Sequence, residues 1–211
     1  MVDTNKTEVV VIMDRSGSMS SIQSDMVGGF KTFMDEQRAE PGELFVSLYQ
    51  FDTQFDVVYE NKPAADVGEL PLHPRSSTAL LDAVGKTVTL VGERLAALPE
   101  EQRPGAVVVL IITDGLENAS KEWKADAVRA AVERQEKEFS WKFVYLGADL
   151  AGLKDAASMG VTRAASYDAS AQGVRGMYSG VSENLSRYRR SVRSGDSNAD
   201  FYTPGSSSSG K

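Results

Sequence analysis

The chain has 211 residues, 41% of them hydrophobic and 25% charged, proportions of an ordinary globular domain that exclude a wholly disordered or fibrous polypeptide. Asp and Glu number 30 against 23 Lys and Arg, and the resulting field of −7 repels phosphate backbones, which excludes nucleic-acid binding through bulk charge. Cysteine is absent, so disulfides, thiolate metal sites and cysteine nucleophiles are excluded together, and any metal must be held by oxygen.

No run of about 18 or more apolar residues occurs, and Met1-Val2-Asp3-Thr4-Asn5-Lys6 lacks a charged-then-apolar secretory pattern, so the expected setting is cytoplasmic with no membrane partner. Val9-Val10-Val11-Ile12-Met13 is a short β-branched run, as for a strand covered on both faces. Met19, Ile22, Met26, Phe30 and Phe33 then mark the apolar stripe of a first helix. Gly28 and Gly29 weaken that helix and are expected to let it lie close on the sheet. Leu44 to Phe51 reads as a strand, and Phe55, Val57 and Tyr59 alternate with Asp56 and Glu60 as its antiparallel, exposed edge partner.

Leu81, Val84, Val88, Val91, Leu95 and Leu98 recur at intervals of 3, 4, 3, 4 and 3, one face of a second helix. Ala106 to Ile112 follows the Pro104-Gly105 turn as a second central strand, and Trp123, Ala127, Val128, Ala131 and Val132 line a third helix. Lys142 to Leu146 is a strand closed by Gly147, followed by a short helix around Asp149 to Ser158, a strand near Val161 to Ala165 and a last helix over about residues 170–193. Arg187, Arg189, Arg190 and Arg193 would complement that helix's C-terminal dipole. From Gly195 the chain is turn-rich and poor in apolar residues, so a domain over 1–194 and a disordered Ser/Gly-rich tail over 195–211 are expected. The alternation of strand and helix predicts a doubly wound, Rossmann-like three-layer α/β sandwich, mostly parallel with one antiparallel edge strand.

Ligands of such sheets bind beyond the carboxyl ends of the strands. The two central strands run into Asp14-Arg15-Ser16-Gly17-Ser18 and Thr113-Asp114-Gly115, and Arg75-Ser76-Ser77-Thr78-Ala79 leads into the second helix. Residues 14, 16 and 18 can converge in a tight turn, with Gly17 permitting the path, and Thr78 and Asp114 add a hydroxyl and a carboxylate. A hard cation such as Mg²⁺ takes about six oxygens and keeps several as water. Three neutral hydroxyls and two carboxylates suit it, leave a position over, and leave the ion electrophilic enough to seek a partner's acidic side chain.

These motifs resemble the von Willebrand factor A-type domain with its metal-ion-dependent adhesion site, and the likeness extends over roughly residues 6–192. The family's D-x-S-x-S is matched by Asp14, Ser16 and Ser18, its threonine by Thr78 before Ala79-Leu80-Leu81-Asp82-Ala83, and its T-D-G by Thr113, Asp114 and Gly115. Ser76 stands where many relatives carry glycine. The Leu146-Gly147-Ala148-Asp149 stretch is similar to stand-alone bacterial and phage members. The resemblance implies that Ser16 and Ser18 bind metal directly, that Thr78 does so in the high-affinity state, and that Asp14 and Asp114 act directly or through water. It implies a protein–protein interaction module rather than an enzyme, loaded with Mg²⁺ or Mn²⁺, Ca²⁺ being the further choice, and completed by a partner's Asp or Glu. The alternative is a regulatory subunit working with a MoxR-type AAA+ ATPase or in a stress or phage-conflict system.

Other chemistries fail on context. Gly205 to Lys211 spells a phosphate-loop pattern with no strand before it and no Ser or Thr after it, and Gly85-Lys86-Thr87 lies inside a helix. The second Asp of an aspartyl phosphotransferase is replaced by Ser16, and the single histidine, His73, is flanked by Pro in a loop, so a metal-dependent hydrolase lacks an evident base or nucleophile. Glu117 and Asn118 are expected as solvated loop residues that could rim the site, and Asp52 as a turn former or an outer neighbour of the site.

Overall fold

In the computed structural model, residues 1–148, 151–196 and 199–202 are described. Six strands form one sheet: β1 (Asp3–Asp14), β2 (Glu43–Phe51), β3 (Phe55–Pro63), β4 (Pro104–Thr113), β5 (Lys142–Gly147) and β6 (Arg163–Ser166), in the order β3-β2-β1-β4-β5-β6. Every pairing is parallel except that of β2 with the edge strand β3. The helices are α1 (Gln23–Ala39), α2 (Leu80–Ala96), α3 (Ala125–Phe139), α4 (Gly152–Ser158) and α5 (Ala171–Arg193). Asp149, where the short helix was expected to begin, lies outside the described residues.

Strand alternation builds two cores. Val9, Val11 and Met13 of β1, with Val108, Leu110 and Ile112 of β4, face α1 and α5. Val10 and Ile12, with Val107, Val109 and Ile111, face α2, α3 and α4. Both faces of the central strands are therefore covered, which is why these strands read as unbroken apolar runs. The arrangement is the expected doubly wound sandwich. The chain leaves β1 toward β2 on one side while β4 lies on the other, so the carboxyl ends of β1 and β4 flank the topological switch point.

Local expectations shift in several places. The first stripe begins in a 3₁₀ turn, Gly17–Ile22, that seats Met19 and Ile22 ahead of α1. Leu98 lies past the end of α2, and Trp123 precedes α3, its indole filling the space over Gly85, where a Cβ would come within 2.1 Å of the ring. Gly29 does not bring α1 onto the sheet. A Cβ there would lie 2.4 Å from the Tyr178 ring, so the missing side chain lets α1 close on α5, whereas Gly28 faces open space. β1 starts six residues before its apolar run, because Glu8, fully buried, is held by the Ser47 hydroxyl at 2.7 Å and by Arg94 of α2.

The basic residues at the end of α5 serve the neighbouring helix as well as their own. Arg189 is buried and donates to the Gln37 carbonyl at 2.9 Å, satisfying an orphan carbonyl in the last turn of α1, and Arg193 donates to the Pro41 carbonyl. The expected disorder from Gly195 onward is corrected for Ala199 to Tyr202. Phe201 is fully buried against Tyr188 and Tyr202, Arg187 donates to its carbonyl at 2.6 Å, and Asp200 pairs with Arg163 at 2.6 Å. One aromatic side chain and two arginine contacts outweigh the low apolar content around them. Gly195 closes the turn after α5, its amide donating to the Val192 carbonyl at 3.0 Å, and residues 197, 198 and 203–211 of the expected tail lie outside the described residues. Among the described residues no helix is long and apolar enough to cross a membrane.

Candidate metal centre

The register aligns Met13 with Ile112, so Asp14 and Thr113 end neighbouring strands side by side. Thr113 Oγ1 donates to Asp14 Oδ2 at 2.5 Å, and the Ser16 amide donates to Asp14 Oδ1 at 2.6 Å. The second bond closes the turn that swings Ser16 and Ser18 back over the strand end. The Ser16 and Ser18 hydroxyls lie 3.1 Å apart, and Ser18 Oγ donates to Asp114 Oδ1 at 2.6 Å. Asp14 and Ser16 are buried, Asp114 is half-buried and Ser18 is exposed, so the cluster opens at the rim of the sheet.

Thr78 reaches the cluster from the connection before α2. A Cβ at Gly115 would lie 3.0 Å from Thr78 Oγ1, 3.7 Å from Ser18 Oγ and 3.8 Å from Asp14 Oδ2. Three side-chain oxygens thus surround one point that only glycine leaves free. All five residues singled out in the sequence, Asp14, Ser16, Ser18, Thr78 and Asp114, come together in this cluster. Among the described residues no group of three or more His, Cys, Asp or Glu side chains that could hold a metal ion is found, at this cluster or elsewhere. Here two carboxylates are supplemented by three hydroxyls, a donor set that suits a hard divalent cation.

Burial disfavours charge on both acids. It pushes Asp14 up to about 6 despite hydrogen bonds from Thr113 and Ser16 that pull the other way, with the Asp114 charge adding to the rise. Burial likewise raises Asp114, against the lowering effect of the Ser18 hydroxyl. Two carboxylates held close and partly out of water form a location that a cation improves.

The residues expected as solvated loop residues also hold the loops. Asn118 is exposed, as expected, and its Oδ1 accepts the Thr78 amide at 3.0 Å, while the amides of Asn118 and Ala119 both donate to the Thr78 carbonyl at 3.1 Å. Glu117 Oε2 accepts the Leu81 amide at 2.9 Å, and Ser120 Oγ accepts that of Asp82 at 3.0 Å. The start of α2 is therefore capped by the loop after Asp114 rather than by Ser77 or Thr78, whose hydroxyl stays turned to the cluster. Ser76 has φ +63°, in the left-handed region that favours glycine. His73 is exposed.

No protein-family model and no curated protein sequence matches the chain. Among solved structures it is similar to a von Willebrand factor type A protein from Catenulispora acidiphila, at 16% identity and TM-score 0.56 over 87% of this chain and 42% of that one. It is also similar to proximal thread matrix protein 1 from the mussel byssus, whose structure has a zinc-occupied MIDAS motif, at 16% identity and TM-score 0.55 over 86% of this chain and 46% of that one. The chain spans less than half the length of each. A likeness at this identity is one of architecture, and the mostly parallel six-stranded sheet with its antiparallel edge and flanking helices is the von Willebrand factor A fold.

Proposed function

We propose that the chain is a metal-dependent protein–protein interaction module in which Asp14, Ser16, Ser18, Thr78 and Asp114 hold a divalent cation, Mg²⁺ or Mn²⁺, and a partner's Asp or Glu completes its coordination. The observation that carries this reading is the convergence of hydroxyl and carboxylate oxygens on the point in front of Gly115, at the switch point of the sheet. The zinc in the mussel protein's MIDAS motif supports the same use of the same fold. Bound there, the ion would supply a Lewis acid with an open position for a carboxylate. The protein's own residues hold the donors in place: Thr113 orients Asp14, Ser18 orients Asp114, and Asn118 and Ala119 fix Thr78. The role proposed is binding: the three hydroxyls and two carboxylates act as oxygen donors that orient one another.

Titration with Mn²⁺, followed by the relaxation of water protons, tests the reading. The wild-type protein is expected to take up one equivalent, with an enhancement that falls when a glutamate-bearing peptide is added, and Ser16→Ala with Ser18→Ala is expected to lose uptake while staying folded. A wild type that takes up no Mn²⁺, or a double variant that binds it unchanged, would refute the proposal.

A further inference from the structure

Asp52, in the turn between β2 and β3, is 1% exposed although it contributes nothing to either core. Its Oδ2 accepts Arg15 Nε at 3.1 Å and Arg75 Nε at 2.6 Å, and its Oδ1 accepts the Gln54 amide at 2.6 Å. Its own carbonyl accepts the Ala79 amide at 3.0 Å. Arg15 lies between Asp14 and Ser16, Arg75 lies three residues before Thr78, and Ala79 follows Thr78. One residue therefore grips the loop of Asp14, Ser16 and Ser18 and, at two points, the loop of Thr78. The two loops also meet directly, Arg75 N–H donating to the Arg15 carbonyl at 2.7 Å and Gly17 N–H to the Ser76 carbonyl at 3.0 Å.

Burial alone would raise the Asp52 pKa, but the hydrogen bonds from Arg75 and the Gln54 amide and the charges of Arg15 and Arg75 outweigh it and hold the carboxyl below its ordinary range. The carboxylate is thus ionised at neutral pH and bonded on both oxygens. A turn former needs only the Gln54 contact. The two guanidinium contacts, from loops 37 and 23 residues away in sequence, are more than a turn requires.

We propose that Asp52 is a positioning residue for the metal centre, its carboxylate holding the Asp14-to-Ser18 loop and the Thr78 loop in register through Arg15 and Arg75 without touching the ion. The inference rests on the metal-binding reading above and deepens it. Outer partners that orient metal ligands typically change affinity by about ten- to a hundredfold when removed.

The test measures Mn²⁺ affinity of the full chain by calorimetry for wild type, Asp52→Asn, Thr78→Ala and the double variant, with circular dichroism to verify folding. Asp52→Asn is expected to weaken Mn²⁺ about tenfold or more, and to weaken it less when Thr78 is already alanine, because the part of its hold that runs through Arg75 and Ala79 acts on that loop. A general loosening of the fold would instead give the same fold-loss in both backgrounds, and that result would overturn the proposal, as would an Asp52→Asn protein that binds Mn²⁺ like wild type. If Asp52→Asn does not fold, Arg75→Gln, which alters a half-exposed side chain, carries the test: a several-fold loss supports the clamp and an unchanged affinity overturns it. A wild type that takes up no Mn²⁺ overturns both this inference and the metal reading, whereas binding that is indifferent to Asp52 overturns this inference alone.

Discussion

Asp82 offers the most direct check on how the site loops are held. It lies in the first turn of α2, and its carboxylate accepts three successive backbone amides of the loop that follows Asp114: Oδ2 from Lys121 at 2.9 Å, and Oδ1 from Glu122 at 2.9 Å and Trp123 at 2.7 Å. Asp82→Asn keeps the shape but removes the charge and turns an amide NH₂ toward at least one N–H. A hydrogen bond to an ionised acceptor contributes about 1.5–3 kcal/mol net against about 1 for a neutral one, so two weakened bonds and one lost come to roughly 3–5 kcal/mol. Lys121 and Glu122 are exposed and their amides regain water, which brings the expected loss to about 2–3 kcal/mol, or a Tm about 4–12 °C lower.

Burial alone would raise the Asp82 carboxyl, but the three amides and the nearby Lys86 charge outweigh it and hold the pKa below the ordinary 3.8. A carboxyl held low contributes stability that is complete above its unfolded pKa and is lost as pH falls through the folded one. Urea unfolding followed by tryptophan fluorescence should therefore show the full gap between wild type and variant from about pH 7 down to about pH 5, and a shrinking gap toward about pH 3. A variant within about 0.5 kcal/mol of wild type at neutral pH, or an equal gap at low pH, would show that the amides are not held by this carboxylate.

Two further outcomes separate the packing arguments. Gly29→Ala should cost about 1–3 kcal/mol by driving a methyl into the Tyr178 ring, while Gly28→Ala, one residue away and facing open space, should be neutral or stabilising by up to about 1 kcal/mol; equal effects in thermal unfolding would contradict the α1–α5 contact. Phe201→Ala should destabilise by about 3 kcal/mol, the low end for a buried phenylalanine because the chain end can close over the gap, and an unchanged urea midpoint would contradict its place in the core.

Much of the architecture was legible because its physics is local. An unbroken β-branched run such as Val9 to Met13 has few alternatives to a covered central strand, and the spacing from Leu81 to Leu95 is helical wherever it occurs. The five oxygen-bearing residues were legible because each sits at a strand end or loop that the alternation of elements locates. What stayed hidden depends on partners far away in sequence. Nothing in the sequence marks Glu8 as buried until Arg94 is placed beside it, and the contacts of Glu117, Asn118 and Asp82 arise only when the loop after β4 folds over the start of α2. Asp52 had the composition of an ordinary turn, and only its two arginine partners distinguish it. A glycine states that space or freedom is needed and not against what, so Gly29 was assigned to the sheet when its neighbour is Tyr178. The short aromatic segment around Phe201 was outvoted by the Ser and Gly that follow it, since average composition does not register a single well-seated ring.

Position 115 shows how a chemistry can hinge on an atom that is not there. Gly115 is not among the residues in the left-handed region, so alanine meets no backbone objection, yet its methyl would sit 3.0 Å from Thr78 Oγ1 in the middle of the oxygen donors. On the metal-binding reading proposed above, Gly115→Ala is expected to crowd Thr78 and block the cation while leaving the two cores untouched. Such a near-identical twin, differing by one methyl group, is the control against which any behaviour ascribed to the cation could be judged in a living cell.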